Sequence, residues 1–173
     1  MKPIAKAGVV AGGYVAAAAI ATLVVDIYIK ATDTPDRISS GGMYAFGDGM
    51  LFLAVLGLAA IPATAAALYW LRSSAGFWSK LSIAGLVIAA TSLAAVLIYQ
   101  TARNASAPTM APLAAFAVLR LLVTPGCAGF FLLAGVLAPS RTPRLRLFAA
   151  AAIELTVFGG TVLMWFLSAR HPA

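Results

Sequence analysis

The stretch LSIAGLVIAATSLAAVLIY, residues 81–99, runs nineteen residues without a charge, between Lys80 and Gln100. As a helix it extends about 28 Å, close to the hydrocarbon thickness of a bilayer. Four more stretches of this kind follow the same reading: Gly8–Ile29, Leu51–Leu71, Leu113–Ala138 and Leu147–Phe166. Together the five take up most of the 173 residues, and the longest polar gap is Lys30–Met50. Strand-period alternation is absent and Ala and Leu dominate, which argues against a β-barrel. Hydrophobic residues make up 62% of the chain and charged residues 10%, with a mean hydropathy of +0.98. Such a chain would be insoluble as a globule, so its solvent is a bilayer. The expected fold is an all-α integral membrane bundle of five transmembrane helices, one domain over residues 1–173.

The first stretch resembles a signal peptide, with Lys2 and Lys6 ahead of an apolar run. It is longer than a signal-peptide core and has no clear cleavage site, so it reads as a true span. Basic residues set the expected orientation. With the N-terminus inside, the inner segments hold Lys2, Lys6, Arg72, Lys80, Arg141, Arg144 and Arg146, against Lys30, Arg37, Arg103 and Arg170 outside. The bias gives N-in, C-out. Interfacial aromatics agree, with Tyr69, Trp70, Phe77 and Trp78 on the inner side and Tyr28, Tyr44, Tyr99, Trp165 and Phe166 on the outer.

A net charge of +7 and a pI near 10.1 do not point to nucleic acid. The basic residues sit at helix ends, where membrane anchoring explains them. One cysteine, Cys127, excludes an internal disulfide and a cysteine metal cage; one histidine, His171, argues against a haem or histidine metal centre. No metal and no cofactor is expected. The bulk composition suits a multi-pass protein of the bacterial inner membrane.

Helices two and four overlay at an offset of 63, with Ala54-Val55-Leu56-Gly57-Leu58 on Ala117-Val118-Leu119-Arg120-Leu121 and Pro62 on Pro125. Helices three and five overlay less well. One reading is compositional chance among Ala and Leu; the other is a parallel repeat of two hairpins added to helix one. Pro62 and Pro125 are expected helix breaks that free the carbonyls of Leu58 and Leu121. They read either as packed kinks or as the paired interruptions of a transport path.

Ionisable groups at membrane depth need an account. Asp48 lies in Gly41–Gly49, whose glycines allow a tight return into the membrane at the outer mouth of helix two. It reads as an N-cap or first-turn acid. Arg120 and Glu154 look like a natural pair, but they fall on opposite sides of their helix midpoints and lean apart. Asp26 matches Arg120 better in depth and lean, so the expected pair is Asp26–Arg120, with independent snorkelling as the other reading. Glu154 is then left without a cation and is expected to face the bundle uncharged near pH 7, with Tyr14, Thr64 and Cys127 at its depth. Small residues that could bring helices close are Gly8 and Gly12, the Ala152-Thr156-Gly160 stripe, and Gly126 and Gly129 beside Pro125.

Three functions remain. The first is a non-enzymatic, helix-packing membrane component, working as a homo-oligomer or in a larger complex and surrounded by lipid. The second is a small carrier or channel subunit, with Glu154 as a proton-coupling group. The third, weaker, is a lipid-modifying enzyme with its cleft near Asp48 and Arg120. The first expects a dry interior, the second a polar cavity touching Glu154 or the Leu121 carbonyl.

Overall fold

A computed structural model of the protein describes residues 2–105 and 111–170. His171 lies outside them. The described residues form seven helices and no strand: α1 (Pro3–Ala31), α2 (Pro35–Ser39), α3 (Gly41–Ala59), α4 (Ile61–Trp70), α5 (Ala75–Ala105), α6 (Ala111–Leu137) and α7 (Arg141–Arg170). Five of them, α1, α3, α5, α6 and α7, are long and apolar enough to cross a membrane. In a bilayer each backbone polar group must be satisfied within its own helix, which explains why helix continues through the polar flanks of the apolar runs.

The second span differs most from expectation. It was placed at 51–71, but α3 starts at Gly41 and ends at Ala59, and α4 resumes at Ile61. The Gly41–Gly49 segment is therefore helical and not a tight return. Each glycine costs a helix about 1 kcal/mol, less than an unsatisfied backbone group costs in hydrocarbon. The interruption falls at Ala60, and Pro62 sits in the first turn of α4, where its missing N–H forfeits no bond. Pro125 behaves otherwise. It was expected to break its helix, yet it lies inside the continuous α6. The two prolines matched by the repeat thus occupy unlike backbone settings.

The chain divides into two compact units, Met1–Trp70 and Leu71–Ala173. The boundary falls within the first of the two hairpins that the repeat would make. In the first unit α1 packs along α3 and α4. The close approach is at Gly13, where an added Cβ would lie 2.7 Å from the Ala63 methyl. A Cβ added at Gly8 or Gly12, the expected contact pair, would meet nothing within 4 Å. The operative small residues are Gly13, Ala17 and Ala21, one turn apart, the two alanines being fully buried.

In the second unit α5, α6 and α7 pack pairwise. Its interior is mostly alanine: Ala89, Ala117, Ala128, Ala134, Ala150 and Ala151 are buried, whereas Leu97, Val136, Leu163 and Trp165 are exposed. Small residues inside and large apolar ones outside is the arrangement of helices that meet by close approach and face lipid. The buried stripe of α7 is Leu147, Ala150, Ala151, Glu154 and Val157, so Ala152, Thr156 and Gly160 point outward and make no helix contact face. Gly126 and Gly129 are likewise open; the tight contact of α6 is Gly135 against Phe148. Trp78, expected in the interfacial belt, is fully buried, its indole Nε1 donating to the Leu71 carbonyl at 2.9 Å. Arg144 closes the short α6–α7 turn by donating to the Ala138 carbonyl at 2.7 Å.

Candidate functional site

The polar centre of the second unit is built by three helices. Glu154 of α7 is completely buried. Arg120 of α6, its side chain 12% exposed, reaches it with Nη2 at 2.5 Å from Oε1. The same Nη2 donates to the Ile88 carbonyl of α5 at 2.8 Å, and Nε donates to the Thr91 hydroxyl at 2.9 Å. The Thr91 hydroxyl in turn donates to Ile88 at 2.6 Å. One guanidinium therefore ties α5 to α7 across α6. Arg120 Nη1 and Glu154 Oε2 are buried and bond to no protein group.

This arrangement corrects two expectations. Asp26 does not pair with Arg120: it binds Lys30, one turn along α1, at 2.6 Å, with both side chains largely exposed. Glu154 is not without a cation: Arg120 supplies it. Depth and lean suggested that Arg120 and Glu154 diverge. An uncompensated buried charge costs several kcal/mol, so the long arginine side chain reaches the acid despite the difference in depth. Asp26 has a local partner on its own helix and needs no distant one.

Of the other residues expected at Glu154's depth, Cys127 of α6 lies close enough to feel the charges of both Glu154 and Arg120. Tyr14 and Thr64 belong to the first unit and bond at 2.8 Å. Thr64 spends its single proton on the Ala60 carbonyl at 2.9 Å, so Tyr14 is the donor. That bond fastens α1 to the start of α4. Cys127, half-buried on α6, is a free thiol.

Sequence reasoning missed a second polar cluster, in the first unit. Arg37 of α2 pairs through Nη2 with Asp48 Oδ2, and its Nη1 donates to the Thr32 hydroxyl at 2.6 Å. Its guanidinium carbon lies 4.9 Å from the centre of the Tyr44 ring and 5.8 Å from that of Tyr28. The Asp48 carboxylate raises the Arg37 pKa above its ordinary value, with burial opposing. Asp48 is accordingly not a cap: Ser40 occupies the N-cap of α3 and Asp48 lies two turns in. The missed signals were the i, i+4 spacing of Asp26 and Lys30, which is visible in the sequence, and the fold of the 32–40 connection, which is not.

Two concave regions accompany these clusters. A groove of about 840 Å³ between the α5, α6 and α7 surfaces is lined mostly by apolar residues such as Leu97, Leu121, Val157 and Trp165, with Gln100 and Thr161 also on its wall. It touches Leu121 but neither Arg120 nor Glu154. A smaller pocket of about 450 Å³ beside Asp48 is lined by Tyr28, Asp36, Ser40, Met43, Tyr44, Gly47 and Asp48. Among the described residues no three His, Cys, Asp or Glu side chains gather as a metal would require. No known family, curated protein or solved structure matches the chain.

Proposed function

We propose that the chain is a non-enzymatic, multi-pass membrane protein that works by helix packing, as a homo-oligomer or as an accessory subunit of a larger membrane complex. The observation that carries this reading is the Arg120–Glu154 pair. The acid is sealed from solvent, and three of its partner's contacts go to two other helices. A carboxyl so engaged serves as a fastener: removing either partner strands a charge in oil. The groove that reaches Leu121 is mostly apolar, which suits lipid or a second helix better than a hydrated path. The basic-residue bias supports an orientation with the N-terminus inside, and the bulk composition suits a bacterial inner membrane.

One observation favours a carrier or channel subunit instead: Glu154 Oε2 and Arg120 Nη1 are buried without a protein partner. Reconstitution into vesicles containing a pH-sensitive dye separates the two readings. The packing reading expects no proton flux above empty vesicles from wild type or Glu154→Gln. Flux in wild type that Glu154→Gln abolishes would overturn it in favour of the carrier.

A further inference from the structure

We infer that the end of the second unit where α5 and α7 begin and α6 stops is a recognition surface for anionic phospholipid headgroups. The charge balance leads there. Residues 1–70 hold four basic and four acidic side chains, so the whole excess of +7 belongs to residues 71–173, which hold eight basic and one acidic. That one acid, Glu154, is buried and already engaged by Arg120. Four of the cations, Lys80, Arg141, Arg144 and Arg146, gather at one end of the three helices. Packing fixes their level: a Cβ added at Gly85 of α5 would lie 3.4 Å from Leu147 of α7 and 3.3 Å from Phe131 of α6. Lys80 lies five residues ahead of Gly85 and Arg141 six ahead of Leu147, so a helical rise of about 1.5 Å per residue sets them at nearly the same height.

Nothing in the chain offsets this charge. Arg141 and Arg144 are both exposed and stand three residues apart on α7, a spacing at which like charges repel. Neither α5 nor α7 has an acid in its first turn. Arg144 is also held in place: its Nη2 donates to the Ala138 carbonyl at 2.7 Å, and the rest of its planar fork suits phosphate oxygens. The setting selects a lipid over an acidic protein. Lys80 and Arg146 directly precede the apolar runs 81–99 and 147–166, so the cations border hydrocarbon at phosphate level. Leu145, between two of the arginines, is exposed, as suits contact with acyl chains. A zwitterionic headgroup brings its own ammonium and leaves the surplus charge standing, whereas a phosphatidylglycerol or cardiolipin headgroup cancels it. Snorkelling to phosphate would anchor the helices in any phospholipid; preference for the anionic one is what the gathered charge adds.

The test uses the full chain in nanodiscs of equimolar phosphatidylglycerol and phosphatidylcholine with identical acyl chains. Both leaflets then have one composition, so the orientation of the chain does not enter. The protein is released into mild detergent, and the lipids that stay bound are counted by native mass spectrometry. We expect phosphatidylglycerol to be retained about tenfold over phosphatidylcholine at low salt, with the preference shrinking as ionic strength rises. The triple variant Lys80→Gln, Arg141→Gln, Arg146→Gln, which leaves Arg144 its carbonyl bond, should lose the preference. The triple variant Lys2→Gln, Lys6→Gln, Lys30→Gln removes the same charge from the first unit and should keep it. Circular dichroism checks that both remain helical. Equal retention of the two lipids by the wild type would overturn the inference and leave the surface to an acidic protein. A preference that survives in the helical second-unit variant, or that is lost only in the first-unit variant, would overturn it as well. The wild-type comparison needs no variant, so a misfolded one does not shield the inference.

Discussion

Arg120 and Glu154 form an ion pair between α6 and α7 while the guanidinium also binds two groups of α5. The pair is therefore a three-helix joint, and its members are not equivalent to two isolated charges. Removing one should be worse than removing both. Glu154→Ala or Arg120→Ala alone should cost about 3–5 kcal/mol, because each strands a buried charge. The double variant Arg120→Met with Glu154→Gln should lie closer to wild type, since an apolar or neutral replacement of a buried pair is often nearly neutral. Denaturant unfolding in mixed micelles, followed by circular dichroism, measures all three. Additive losses in the double variant would count against the joint.

Much of the architecture was legible because oil constrains it so strongly. The five apolar spans need no tertiary information: each is long enough, and hydrocarbon permits a lone segment little besides helix. The centre of the second span was misplaced because the Gly41–Gly49 run looks like a connection by propensity, and the bilayer outweighs propensity. The partners of the charged groups were not legible. Asp26 and Arg120 are joined by depth and lean, and neither outweighs a buried acid within the reach of an arginine side chain. Thr91 and the Ile88 carbonyl, which complete the Arg120 site, carry no sequence mark at all. The Arg37–Asp48 pair depends on how α2 folds the connection back on itself, a feature of five residues that no periodicity announces.

The contact of α1 with α4 should be decided at Gly13. Gly13→Ala would bring its methyl to 2.7 Å from that of Ala63, and both belong to helix backbones that cannot rotate away. A loss of about 1–3 kcal/mol is expected from such overpacking. Ala63→Gly in the same chain should restore most of it, because it removes the facing methyl. Gly8→Ala, with open space around it, should be neutral or stabilising by up to ~1 kcal/mol, as helix propensity alone would give. A thermal-melt series on the four proteins checks the contrast, and a harmless Gly13→Ala would show that α1 does not pack there.

Trp78 is buried and donates its indole hydrogen to the Leu71 carbonyl. Trp78→Phe keeps an aromatic ring but removes one of the two donors to that carbonyl, which still accepts from the Ser74 N–H at 3.0 Å, and opens a small cavity. We expect a loss of about 0.5–1.5 kcal/mol from the missing hydrogen bond. The wild-type emission of Trp78, isolated by replacing Trp70 and Trp165 with Phe, should be blue-shifted and resistant to acrylamide. A red, readily quenched signal would place the indole at the headgroups instead.

Pro125 tests the packing reading against the transport reading at a residue that is not a member of the ion pair. It sits within a continuous α6, so it removes one backbone donor without breaking the helix. If the proline is only a tolerated residue, Pro125→Ala should restore the bond to the Leu121 carbonyl and leave the protein equally or more stable, by up to about 1 kcal/mol. Its dye-vesicle proton flux should stay at the background of wild type. If the freed Leu121 carbonyl instead serves a permeant species, Pro125→Ala should change flux while leaving the fold intact. A stabilised protein with altered flux is the outcome that helix packing alone cannot produce.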